Sequence, residues 1–281
     1  MDFAHHDTRP KPIARLETRL ARVAREQGLD QERLRRWVSF LALCGVLERA
    51  MGEGILGLYY LKGGVALELR FATRARATKD LDLGLEGPRS NRLDLLQRSL
   101  ELGFDEFKFR VKAQTRDMEQ ADTVRVNVAV SYRTRAWQTV EVDLGPAKTL
   151  DIDFVAPQVK GLVELGLPMT SPVRCLGLAE QVAQKLHACT APHSAGRARD
   201  VLDILLVEML GGLDYHRATA AARRVFEERA THAFPPEFTM PVEWRPEVES
   251  LAVQLGFPRT SAGEIEERFL AVLQRLTEVA D

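Results

Sequence analysis

Cysteine is scarce in this sequence. Three occur in 281 residues, at Cys44, Cys175 and Cys189, with no C-x-x-C pair. That spacing supplies no paired-thiol motif, and each thiol reads as a small buried hydrophobe. Net charge is almost absent as well, at −1, so no overall field draws the chain to nucleic acid or membrane and any such binding needs a local patch. Lysine is rare beside arginine, 8 against 31, which supplies many bidentate donors for phosphate or carboxylate. No stretch approaches the ~18 apolar residues of a spanning helix. The opening "MDFAHHDTRPKPIARLETRL" lacks the apolar segment of a secretory signal. Repeats and low-complexity tracts are missing too. The expectation is a soluble protein of the reducing cytoplasm.

The hydrophobic pattern divides the chain. "PIARLETRLARVAREQ" carries a helical stripe, and a second helix follows with Asp30 as its N-cap. "ILGLYYLKG" reads as a strand ending at Gly63-Gly64, "VALELRFA" as a short helix, and "ATKDLDLGLE" alternates with period two. "RSNRLDLLQRSLELG" is a helix. "FKFRVKAQTR", "TVRVNVAVSYR", "WQTVEVDLG" and "LDIDFV" read as consecutive strands. From Leu178 onward only helices are expected, the last two linked by the proline-rich "FPPEFTMPVEWRP". The predicted class is α+β, with N-terminal helices over 1–52, a mixed α/β core over 53–170 and a helical domain over 171–281.

Two aspartates interrupt an apolar strand. Residues two apart share a face, so Asp80, Asp82 and Gly84 lie on one side and Leu81, Leu83 and Leu85 on the other. Strands disfavour aspartate, and two on one face repel. One reading is an edge strand with a solvated polar face. The other is a divalent-metal site, since Mg²⁺ takes one or two carboxylates plus substrate phosphates. Three features favour the second. Gly63-Gly64 stands at a strand-to-helix turn, where bare N–H groups suit a phosphate. "TVEVDLG" offers Glu141 and Asp143 on one strand face, and a third carboxylate is what two-metal phosphoryl transfer requires. Arg70, Arg74, Arg76 and Lys79 crowd just before the aspartates, placed to neutralise phosphates.

Together these residues resemble the DNA polymerase β-like nucleotidyltransferase superfamily: Gly-Gly at a helix head, Asp-x-Asp on the next strand, then one more strand carboxylate. "LKGGVALELRF" and "RATKDLDL", followed by "AEQVAQKLHACTAP" and "RARDVLDILLV", are similar to the AbiEii/MenT-type nucleotidyltransferase toxins. The resemblance covers roughly 55–210. It implies a polymerase β-type core, a mixed sheet with flanking helices, and a C-terminal helical domain. It implies Mg²⁺-dependent transfer from an NTP to the 3′ acceptor end of tRNA, and a cognate antitoxin. Asp80, Asp82 and Asp143 would hold metal, with Asp143 preferred to Glu141. Lys62, Gly63, Gly64, Thr78, Lys185 and Arg197 would bind the nucleotide, and Asp200 would orient Lys185 or an arginine. Thr78 stands where relatives often have serine, a hydroxyl that an antitoxin kinase can phosphorylate; a transcriptional regulator is the other antitoxin type.

Each assignment has a plainer counterpart. Lys185 alone reads as a solvent-facing helical lysine, and Asp200 as a first-turn carboxylate favoured by the helix dipole. His187 and His193 lack further ligands at zinc spacing, and His5-His6 sits in the terminus. Two other functions compete with tRNA modification: transfer to a protein hydroxyl or a small molecule, and a non-catalytic binding module that retained the fold.

Overall fold

The computed structural model describes residues 13–118, 122–148, 151–157, 163–168, 172–192 and 194–278. His5, His6 and His193 lie outside them. Two compact units emerge. The first comprises Met1–Val65, Ala77–Leu150 and Phe154–Cys175, and the second Ala66–Arg76, Asp151–Asp153 and Leu176–Asp281.

In the first unit, α1 (Ile13–Gln27) buries Leu16, Leu20 and Val23 along one stripe. Helix α2 (Gln31–Gly52) starts where the Asp30 carboxylate accepts the Arg33 N–H at 2.7 Å, which satisfies an end donor of the helix. The strands are β1 (Tyr59–Lys62), β2 (Asp80–Leu85), β3 (Phe107–Met118), β4 (Thr123–Tyr132), β5 (Arg135–Pro146), β6 (Ile152–Val155) and β7 (Val173–Leu176). They form one seven-stranded sheet in the order β3-β4-β5-β2-β1-β7-β6. β2 runs parallel to β5 and β1 parallel to β7, whereas β1–β2, β3–β4 and β4–β5 are antiparallel. The architecture is therefore mixed α+β, as the change of period predicts.

One face of β2, β4 and β5 is apolar. Leu81 and Leu83 of β2, the even-numbered valines of β4, and Val140, Val142 and Leu144 of β5 are buried. Helix α4 (Arg89–Glu101) packs on the strands from that side. At ~1.5–3 kcal/mol per buried aliphatic side chain, this face fixes the register, because a one-residue slip would turn every valine outward.

The second unit is helical from α5 (Leu178–Thr190) through α6 (Ala198–Leu210), α7 (Tyr215–Arg229), α8 (Arg245–Gln254) and α9 (Ala262–Glu278). Leu67 of α3 (Gly63–Phe71) joins their core.

Three sequence expectations change. The strand bearing the aspartates starts at Asp80 rather than at Ala77. No element is expected over residues 173–176; they form β7, a four-residue strand whose Val173, Cys175 and Leu176 are all buried, too short for periodicity to reveal. No helix is expected where α8 stands, and only its first two residues fall in the proline-rich link. Its proline stands at the first turn, where a missing N–H costs nothing. Helices α1 and α2 fall within the first unit.

Candidate active site

The sheet face opposite the apolar one carries charge. In β2, Asp80 and Asp82 are half-buried while Leu81 and Leu83 between them are buried. The parallel pairing sets Asp80 opposite Glu141, Asp82 opposite Asp143, and Gly84 opposite Gly145. On the other side, β1 sets Lys62 opposite Asp82, and beyond β5 the β4 strand sets Arg125 opposite Asp143. Residues in register project from the same face. One rung across four strands thus reads Lys62, Asp82, Asp143, Arg125, a cation at each end and two carboxylates between. Asp80 and Glu141 form the next rung of the same face.

Glycines make room for it. A Cβ on Gly63 would fall 1.9 Å from Asp82 Oδ2, and Gly63 has φ +62°, which an L side chain rarely adopts. The Gly63-Gly64 turn therefore serves close approach of Asp82 to the start of α3. A Cβ on Gly145 would lie 2.6 Å from Lys62 Nζ, so that amine crosses the glycine rather than turning away. Sequence reasoning missed a signal here. Asp82-Leu83-Gly84 and Asp143-Leu144-Gly145 repeat the same tripeptide, and the two copies lie in register.

Arg125 is the residue that sequence reasoning did not find. Its Nε and Nη2 each donate to Asp143 at 2.6 Å, one to each carboxylate oxygen, and Nη1 lies 3.0 Å from Glu141 Oε1. Hydrogen bonding to Asp143, assisted by the charges of Asp143, Glu141 and Asp80, raises its pKa against the opposing effect of burial. Bidentate geometry of this kind is the strong form of the pair.

Thr78 lies two residues before β2 begins. Its hydroxyl nevertheless reaches Asp80, donating to Oδ1 at 3.0 Å, and the residue is only 4% exposed. Of the arginines expected to meet phosphates, two are engaged within the second unit. Arg70 pairs with Asp153 at 2.7 Å and donates to the Leu176 carbonyl, and Arg76 pairs with Asp203 at 3.2 Å.

The carboxylate oxygens are the hard donors that a divalent cation such as Mg²⁺ takes, and the like charge of Asp80 and Asp82 on one strand favours a cation. Asp143, however, faces Arg125. Among the described residues no group of three ligand-type side chains is gathered for one ion. The donor set fits the metal, and Asp143 would join it only by exchanging Arg125 for the ion.

The second unit holds the other predicted residues. Lys185 on α5 is buried, not solvent-facing, and its Nζ donates to Asp200 Oδ1 at 2.6 Å and Asp203 Oδ2 at 2.7 Å. Burial alone would lower its pKa; Asp203 and Asp200 outweigh that and raise it. Asp200 does sit in the first turn of α6 and holds the lysine from there. Arg197 reaches Asp200 from the exposed edge at 3.5 Å. Asp203 was not singled out from sequence, yet it is 1% exposed and also takes Arg76. Burial pushes its carboxyl up, but Lys185 and Arg76 together hold it below the usual range. The Asp-x-x-Asp spacing, one helical turn, was the available signal.

Both ring nitrogens of His187 are engaged. Its ring nitrogens meet Arg229 at 3.2 Å and Thr231 at 2.9 Å. Burial, with Arg229 and His232 alongside, lowers its pKa to about 4.

The family model described as "Nucleotidyl transferase AbiEii toxin, Type IV TA system" matches residues 46–275. Among solved structures, MenT4, a nucleotidyltransferase toxin of Mycobacterium tuberculosis, aligns with TM-score 0.59 at 17% identity, covering 92% of this chain and 89% of that one. The antibiotic-resistance factor ANT(2'')-Ia aligns over 69% of this chain and 94% of its own, with TM-score 0.41 and 15% identity. No curated protein matches by sequence.

Proposed function

The chain belongs to the AbiEii family of nucleotidyltransferase toxins, and on that premise we propose that it moves a nucleotide from an NTP to the 3′ end of tRNA and so stops translation. The observation that carries this reading is the in-register pair Asp82–Asp143, flanked by Asp80 and set beside the Gly63-Gly64 turn.

Asp80 and Asp82, with Asp143 once it parts from Arg125, would hold Mg²⁺, whose charge would neutralise triphosphate oxygens and favour ionisation of the acceptor hydroxyl. Gly63 and Gly64 present the first N–H groups of α3 to a phosphate. Lys62, extended across Gly145, meets the triphosphate as a movable point charge. Thr78 holds Asp80 through its hydroxyl. The acceptor 3′-oxygen attacks the α-phosphorus, its proton passes to an Asp143 carboxylate oxygen, and pyrophosphate leaves with the bridging oxygen. Nothing covalent forms on the protein, so rate depends on position and charge. A nucleotide-binding role for Lys185 and Arg197 is part of this proposal, with Asp200 holding Lys185 for it.

A toxin of this family implies a cognate antitoxin. Phosphorylation of Thr78 would place about −1.5 to −2 charge beside Asp80, but a kinase reaches that buried hydroxyl only if the loop before β2 opens. Intact mass after co-expression with the antitoxin decides between this route and transcriptional control.

Incubation with each labelled NTP and total tRNA tests the function. Label on tRNA, lost in Asp82→Ala, is expected; label only on protein or on a small-molecule acceptor would replace tRNA in the scheme.

A further inference from the structure

The charged face does not stop at the carboxylates. On β3, the edge strand of the sheet, Lys108, Arg110 and Lys112 are exposed while Phe107 and Phe109 are buried. Lys108 lies opposite Ser131 and Arg110 opposite Ala129 on β4, and Ala129 in turn lies opposite Thr139 on β5. Thr139 precedes Glu141 and Asp143 on the same side of the same strand, with no register shift between them. The open face is therefore continuous from the basic edge to the carboxylate rung. All of it belongs to the first unit.

We propose that this face, centred on Lys108, Arg110 and Lys112, is the track along which the acceptor's phosphate backbone lies while its 3′ end reaches Asp143; the proposal rests on the nucleic-acid acceptor argued above. Three observations carry it. The first is charge: none of the three cations has a carboxylate partner among the described residues, whereas Arg125, Arg76 and Arg92 are all ion-paired. Lys112 donates instead to the Thr139 hydroxyl at 2.9 Å. The chain is nearly neutral overall, at −1, so this is the local patch that binding a polyanion requires.

The second is shape. Ala129, Ser131 and Thr139 are short, and the three lysine and arginine stems stand beside them around a groove of about 530 Å³. A sugar–phosphate chain can lie against such low relief, with the amines and guanidinium at its phosphates. The third is distance. Thr139 is four residues from Asp143, about 13 Å along the strand, and β3 is two strand spacings from β5, about 10 Å. The basic edge thus stands roughly 16 Å from the carboxylates, on the order of five steps of a nucleic-acid strand at ~3.4 Å rise.

Charges on an edge strand also discourage pairing with another chain. That role needs no RNA, and the test separates the two. Fluorescence anisotropy with an end-labelled total tRNA fraction, across ~50–200 mM salt, measures affinity and its salt slope. Loss of three phosphate contacts reduces the slope by about 2, at ~0.7 per contact on single strands. The variant Lys108→Gln, Arg110→Gln, Lys112→Gln is expected to bind at least tenfold more weakly with that smaller slope, with an unchanged melting temperature. In the transfer assay its KM for tRNA rises while KM for NTP does not. Should the triple variant fold poorly, Arg110→Gln alone is expected to lower the slope by ~0.7. Unaltered affinity and slope in a folded variant would overturn the track, as would a wild-type protein that binds no tRNA at either salt. Salt-dependent tRNA binding that these substitutions weaken, without any nucleotide transfer, would instead keep the track and overturn the proposed acceptor.

Discussion

The two charged clusters of this protein are built on opposite principles. In the second unit, Lys185 and Arg76 face Asp200 and Asp203, with Arg197 at the exposed edge of Asp200, so no carboxylate is in excess, and the central Asp203 is 1% exposed. On the sheet, Lys62 and Arg125 face Asp80, Asp82, Glu141 and Asp143, two cations for four carboxylates, on a half-open surface. A buried cluster must balance, because an uncompensated charge in low dielectric costs several kcal/mol. A surface that leaves carboxylates in excess is unstable by itself and improves when a cation arrives. The excess, not the number of charged residues, marks where chemistry belongs.

Removing the excess carboxylates should therefore affect chemistry alone. Asp82→Ala and Asp80→Ala are expected to cut transfer at least ~1000-fold, about 4 kcal/mol of barrier, without lowering the melting temperature. Near-normal labelling by either variant would sink the metal-site reading. Breaking the balanced cluster should do the reverse. Asp203→Leu leaves Lys185 and Arg76 with one carboxylate, and a broken buried pair costs ~3–5 kcal/mol, read as a lowered denaturant midpoint. Lys185→Met separates the proposed nucleotide role from the structural one: a raised KM for NTP at wild-type stability supports the first, and a loss of stability at unchanged KM supports the second.

The same contrast explains what was legible in the sequence. The alternation of Asp80, Leu81, Asp82 and Leu83 shows a polar face directly, because strand period and side-chain chemistry are both local. The valines of β4 and β5 are legible for the same reason. Which strands are neighbours is not local. Asp82 stands opposite Asp143 only because β2 runs parallel to β5, and nothing but the repeated Asp-Leu-Gly hints at it. Arg125 reads as one more cation on an alternating strand until the β4 register places it against Asp143. The partners of Lys185 are not local either: Val182 and Cys189 set it on the buried stripe of α5, but only the packing of α6 brings Asp200 and Asp203 to it.

Acid should separate the two units as well. Asp203 has a depressed pKa in the fold, so its contribution is present above the unfolded value near ~3.9 and is lost as pH falls below it. Lys185 has a raised one; its contribution is present below ~10.4 and is lost only as pH rises through the folded value above that. His187 is lowered to about 4. A histidine that stays neutral when folded but binds a proton when unfolded, near ~6.5, destabilises the fold progressively as pH falls between those values. Chemical denaturation followed at pH 7, 6, 5 and 4 should show the second unit losing stability from about pH 6.5 downward. His187→Gln should reduce that loss, with the neighbouring His232, whose pKa burial also lowers, supplying the remainder, and the Asp203 contribution should appear at lower pH. An unchanged slope in the variant would mean that His187 is not the titrating group.

The smallest expected effect concerns the contact that keeps Asp143 occupied. Arg125 holds both oxygens of Asp143, and a divalent ion would need at least one of them. Arginine and metal therefore compete for one carboxylate, and the apparent metal affinity is reduced by whatever the pair contributes. A charge-assisted bond is worth ~1.5–3 kcal/mol, much of which the side chain recovers from Glu141, 3.0 Å away. Arg125→Gln should thus bind Mn²⁺ about tenfold more tightly by calorimetry, a difference of ~1.4 kcal/mol. Arg125→Lys should fall between variant and wild type, because a single ammonium cannot hold both oxygens in the same fork. In the Asp143→Asn background the arginine keeps Glu141 but no longer holds a carboxylate that the metal needs, so there Arg125→Gln should change Mn²⁺ affinity much less. If Arg125→Gln weakens the metal instead, the guanidinium orients Asp143 toward the ion rather than competing with it, and the rung works as one assembled site.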